Sequence, residues 1–100
     1  MEKRKDQMIE KRVEEMLHSS FLGEYLNDEN ITDISYNGMQ LRVQDNIKGR
    51  FIPKNQPLYQ EVYELGKKIA NIQGKEWTSN TPFLNTELSH LRVNFVHDAV

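Results

Sequence analysis

The apolar positions change period several times along the chain, and each change marks an element. Ile9, Val13, Met16 and Leu17 stand at i, i+4, i+7 and i+8, a single stripe on an α-helix. Off that stripe Glu10, Glu14 and Glu15 alternate with Lys11 and Arg12, which reads as a solvated face of mixed sign. Residues 1–27 are thus expected to be a helical segment, broken at Ser19-Ser20 and resumed in a short helix bearing Phe21, Leu22, Tyr25 and Leu26. The period then falls to two. Ile34 and Tyr36 alternate with Asp33 and Ser35, and Leu41 and Val43 with Arg42 and Gln44, as strands with one buried face do. Between them Asn37-Gly38 predicts a two-residue hairpin turn with positive φ at both residues. Asp45-Asn46 predicts a further turn, and Phe51-Ile52 a third strand closed by Pro53.

Helical spacing returns near Pro57. Leu58, Val62, Leu65, Ile69 and Ile72 predict a core-facing helix, with Pro57 at its first position and Gly74 as its C-terminal cap. Residues 75–89 are polar and turn-rich, with Trp77 and Phe83 as anchors. Leu91, Val93 and Phe95 then alternate with Arg92 and Asn94 in a last strand. This order predicts an α+β fold, an antiparallel sheet flanked by the N-terminal helical segment and a central helix. The organisation expected is a helical segment, 1–27, followed by one α+β domain, 28–100. No internal repeat or low-complexity tract is present.

Composition narrows the function classes. The 100 residues carry 13 Lys and Arg against 15 Asp and Glu, a net charge of −2, so nothing favours a nucleic-acid partner. Without cysteine there is no disulfide or thiolate chemistry. No apolar run approaches the roughly 20 residues of a membrane span, and the charged N-terminus has no apolar signal core behind it. A cytoplasmic protein is expected.

Candidate chemistry is sparse. Gly66-Lys67 and Gly74-Lys75 are the two Gly-Lys pairs, but Glu61 and Ile69 occupy the places of the upstream P-loop glycine and no hydroxyl residue follows either lysine. The chain carries no Walker A motif. Of His18, His90 and His97, the last two could join Asp98 at a metal only if the last strand bent back, so surface histidines are the expectation and no metal site is assigned. Ser89 has no nucleophile-elbow pattern around it. Arg92 stands out as a charge in an apolar strand. Taken alone it reads as a solvent-facing residue, or as the partner of a carboxylate such as Asp33 or Glu87.

Three segments together support more. Ile31-Thr32-Asp33-Ile34-Ser35-Tyr36-Asn37-Gly38 resembles the first strand and turn of the N-terminal domain of the type II/type IV secretion ATPases, the hexameric traffic ATPases of secretion, conjugation and pilus systems. Leu65 to Gly74 resembles that domain's helix. Thr81-Pro82-Phe83-Leu84-Asn85-Thr86-Glu87-Leu88, followed by Leu91-Arg92-Val93-Asn94, resembles its run ending in Arg-Val-Asn. The likeness covers residues 20–100. Asn85 stands where the family has Asp, Ser89-His90-Leu91 replaces the segment before the arginine, and His97-Asp98-Ala99 replaces a proline-containing one.

The resemblance implies a PAS-like domain that sits on a RecA-like domain bearing the Walker motifs, with nucleotide at the boundary. By that match Arg92 is nucleotide-proximal, and no residue of this segment is catalytic. ATP and Mg²⁺ are expected for the longer protein and no cofactor for this segment, which would be an excised N-terminal domain lacking the last strand and the ATPase domain. The implied partners are that ATPase domain, neighbouring subunits of a hexameric ring and an inner-membrane platform protein, with a peripheral place at the inner face of the membrane. Two other readings stand beside this one. A free-standing PAS-like interaction or ligand-binding module would use a cavity lined by Tyr36, Trp77 and Phe95. An independent small enzyme would have only the scattered histidines behind it.

Overall fold

The structure, a computed structural model, describes residues 2–88 and 90–97, with side chains from residue 7 onward. Its elements are α1 (Glu2–His18), α2 (Gly23–Leu26), β1 (Ile31–Tyr36), β2 (Leu41–Asp45), β3 (Gly49–Phe51), α3 (Tyr59–Gln73), β4 (Phe83–Glu87) and β5 (Arg92–Val96). The fold is α+β, with one five-stranded sheet in the order β3-β2-β1-β5-β4.

The sheet is mixed where an antiparallel one was expected. β1 and β5 are parallel neighbours, with Ile34 beside Val93 and Tyr36 beside Phe95, and every other pair is antiparallel. Parallel neighbours need a long connection to return the chain to the same end. Here α3 and β4 lie within that connection. β4 was not expected at all, because two of its five residues, Phe83 and Thr86, break the usual pattern. Phe83 points out at 67% exposure while Thr86 points in at 3%.

The strand side chains of one face form the core with both long helices. Ile34, Val43, Val93 and Phe95 pack in one cluster with Val13 and Leu17 of α1 and Val62 and Ile69 of α3, all at 2% exposure or less. The N-terminal helix therefore shares the core of the sheet. Between α1 and α2 the break falls at the serines. Ser20 Oγ donates to Leu17 O (2.6 Å) and accepts from Leu22 N (3.1 Å), satisfying groups the helix ends leave open.

Three local expectations are corrected. The β1–β2 turn is displaced by one residue: Asn37 N–H donates to Gln40 O (3.3 Å) and Gly38 alone takes positive φ (94°), so Gly38-Met39 is the central pair. Asn37 instead accepts through Oδ1 from the N–H groups of Met39 (2.9 Å) and Gln40 (2.8 Å). At α3 the N-cap is Leu58, extended at φ −69° and ψ 146°, so Pro57 precedes the helix and Leu58 leaves the core, 70% exposed. Glu61 reaches back to accept from Leu58 N (3.1 Å), the half of a capping box that needs no polar N-cap side chain. The C-terminal end is as expected, with Gly74 left-handed at φ 67°.

Two contacts invisible in the pattern fix the linkers. Gln56 lies against β2, its Oε1 accepting from Leu41 N (2.7 Å) and its Nε2 donating to Leu41 O (3.1 Å). A side-chain amide thus supplies the partner that a following β3 residue would, at the place where Pro53 has no N–H to give. Trp77 packs on α3 so closely that a Cβ at Gly66 would stand 2.2 Å from its ring, and its Nε1 donates to Pro82 O (2.8 Å).

Candidate functional site

Both long helices, α1 and α3, lie on one side of the sheet, and among the described residues nothing covers the other side. The register places its side chains in rows across the strands. One row runs Arg50, Gln44, Asp33, Arg92, Glu87 from β3 to β4. The next runs Arg42, Ser35, Asn94, Asn85. This follows from the two-residue period of each strand: the residues between these are the ones buried against α1 and α3. At one end Val96 and Phe83 continue the face in apolar form.

The two rows enclose a hollow of about 370 Å³ whose charged lining is Arg42, Arg50 and Arg92 against the single carboxylate of Asp33. Asp33 Oδ1 lies 3.3 Å from Arg92 Nε, with the arginine side chain 63% exposed and the aspartate 27%. Of the two carboxylates the sequence offered as partners, the structure thus uses Asp33, its neighbour across the parallel pair. Glu87 flanks Arg92 from the antiparallel side. Among the described residues neither Arg42 nor Arg50 has an ion-pair partner. These two arginines sit at ordinary strand-exterior positions, and only the register, which is not local in sequence, brings them beside Arg92.

The histidines do not converge. His90 and His97 stand at opposite ends of β5, roughly 20 Å apart at the rise of an extended strand. His97 meets Trp77 edge-on (centroids 5.0 Å, 77°) and Tyr63 likewise (5.5 Å, 71°). His18 Nε2 lies 3.8 Å from Glu14 Oε1, one helical turn away. Among the described residues no three His, Cys, Asp or Glu side chains come together. Ser89 and Asp98 lie outside the described residues. The aromatic trio of the ligand-cavity reading is core: Tyr36, Trp77 and Phe95 are 3%, 6% and 1% exposed, with Trp77 and Phe95 6.3 Å apart at their centroids.

Asp45 is a buried carboxylate held by backbone N–H groups. Asp45, 4% exposed, accepts through Oδ1 from Ile47 N (2.7 Å) and Lys48 N (3.0 Å) and so closes the β2–β3 hairpin. These N–H groups, Lys48 first, hold its carboxyl below the ordinary value of 3.8 despite the opposing effect of burial.

In an alignment 95 residues long that covers 92% of this chain, it is 33% identical to an uncharacterized protein of Bacillus anthracis, and it spans 22% of that protein. No family model and no solved structure matches the chain. Among the described residues no helix is long and apolar enough to cross a membrane.

Proposed function

We propose that the chain is the N-terminal positioning and assembly module of a hexameric secretion traffic ATPase, without hydrolytic apparatus of its own. The observation that carries this reading is the place of Arg92. The arginine singled out by resemblance to the traffic ATPases stands on the uncovered face of the sheet, beside Arg42 and Arg50, where a second domain can reach it. A guanidinium fixed on a strand donates a planar fork to phosphate oxygens and stabilises charge that develops on them. Its neighbours suit that task and not the holding of Mg²⁺, which wants several oxygen ligands. ATP and Mg²⁺ would therefore be held by a RecA-like domain elsewhere in the longer protein. The α1 surface is left for neighbouring subunits or a platform protein at the membrane's inner face. The length of the Bacillus anthracis protein, of which this chain spans 22%, leaves room for such a domain.

The test begins with the mass of the native gene product, by immunoblot from its own cells. A product larger by one or two domains, carrying a P-loop and hydrolysing ATP, supports the reading. A single species near 11.8 kDa overturns it and leaves a free-standing interaction module.

A further inference from the structure

Arg50 of β3 pairs with Gln44, and Arg42 lies two residues from Gln44 on the same face of β2. Diagonal neighbours of this kind stand about 7–8 Å apart at the backbone. Arg92 lies two strands from Arg42, roughly 10 Å across the sheet. All three long side chains line the same hollow of about 370 Å³, which has room for more than one phosphate group. Ser35 and Asn94 lie between, at the centre of the hollow, and among the described residues neither side chain has a hydrogen-bond partner. Three guanidinium groups line one hollow, where Asp33 pairs with Arg92 and Glu87 flanks it, while Arg42 and Arg50 have no ion-pair partner among the described residues and repel each other. An anion spanning the hollow removes that repulsion.

We infer that the hollow on the open sheet face is a binding site for a polyphosphate anion, with Arg42 and Arg50 holding successive phosphate groups and Arg92 closing the site. The inference deepens the reading above and rests on it for one point, the source of the anion as a nucleoside triphosphate. Inorganic tripolyphosphate presents the same phosphate chemistry without the nucleoside. Arg42 and Arg50 lie outside the three segments that carry the resemblance to the traffic ATPases.

The experiment is a titration of the chain with tripolyphosphate at constant ionic strength, read by amide and arginine Nε–Hε resonances. Saturable shifts confined to the open-face residues of β1, β2, β3 and β5 are expected. The double variant Arg42→Ala with Arg50→Ala should weaken binding about tenfold or more, since each lost charged fork removes a strong hydrogen-bonded contact. Lysine at both positions should weaken it as well, because an ammonium keeps the charge and loses the fork. Unchanged melting of these variants verifies the fold. Competition by ATP identifies a nucleotide as the source, and binding of tripolyphosphate without ATP identifies free polyphosphate. Shifts that fail to saturate, that spread over surface lysines, or that persist in the double alanine variant overturn the inference. No tripolyphosphate binding in a chain whose full gene product hydrolyses ATP would sink the site and leave the ATPase reading intact. Binding by a chain whose native product is near 11.8 kDa would do the reverse.

Discussion

At the scale of single residues, the side chains that matter most to the fold are those whose surroundings are decided far away in sequence. Gly66 shows this. A glycine inside a helix costs about 1 kcal/mol relative to alanine, so propensity alone favours Gly66→Ala. The added Cβ, however, would stand 2.2 Å from the Trp77 ring, which cannot yield freely because its Nε1 is tied to Pro82 O. Overpacking of this kind costs about 1–3 kcal/mol, so the substitution should destabilise on balance, as a lowered urea midpoint. A midpoint that rises would mean that the ring is free to move. Asp45 makes a second case. Its carboxyl titrates below 3.8 in the folded chain, so the unfolded chain takes up the proton first as pH falls. Its contribution to stability is present above that ordinary value and is lost as pH drops through the lower folded one. Asp45→Asn should flatten the acid limb of stability against pH below about 4, since an amide oxygen can still accept from Ile47 and Lys48 without titrating. An unchanged slope would place the acid sensitivity elsewhere. Asp45 was legible from sequence as a turn residue, whereas the contact of Gly66 with Trp77 was not.

At the scale of elements, periodicity revealed the elements that bury an apolar stripe, whereas β3 buries none and runs Gly49–Phe51 where Phe51-Ile52 was expected, with Ile52 left 50% exposed. α3 and β1, β2 and β5 follow their patterns. β4 escaped because Phe83 is exposed and Thr86 is buried, accepting a hydrogen bond from Gln73 Nε2 (3.3 Å). The hairpin at Asn37-Gly38 was legible in kind but not in register, because Asn37 uses its side chain as an acceptor and leaves positive φ to Gly38. α1 was legible as a helix, but its spacing could not tell whether it stands apart from the sheet or packs on it. The structure places Leu17 at 0% exposure within the common core. Leu17→Ala should therefore cost about 2–5 kcal/mol of global stability, as cavity-forming substitutions do, while Met8→Ala on the same helix, 63% exposed, should cost almost nothing. Thermal or denaturant unfolding measures both. Equal, negligible effects would mean that α1 is an appendage.

At the scale of the whole molecule, the decisive feature is a sheet that the described residues cover on one side only. Sequence singled out Arg92, because a charge in an apolar strand is visible locally. It could not group Arg42 and Arg50 with it, since strand order and the parallel pairing of β1 with β5 are properties of the assembled sheet. The role of Arg92 can be separated from its part in folding. Its ion pair with Asp33 is largely exposed at the arginine, and pairs of that kind contribute about 0–1 kcal/mol. Arg92→Ala should thus leave the melting of the chain nearly unchanged. If the face meets nucleotide in the longer protein, the same substitution there should lower kcat for ATP hydrolysis on the order of 10²-fold, the usual loss when one preorganised donor to developing charge is removed. Arg92→Lys should recover only part of it, because a single ammonium cannot make the bidentate contact. Turnover unchanged in both variants would remove Arg92 from the nucleotide boundary. Unfolding of the alanine variant would show that its pair with Asp33 holds the β1–β5 junction together, a structural duty its exposure argues against.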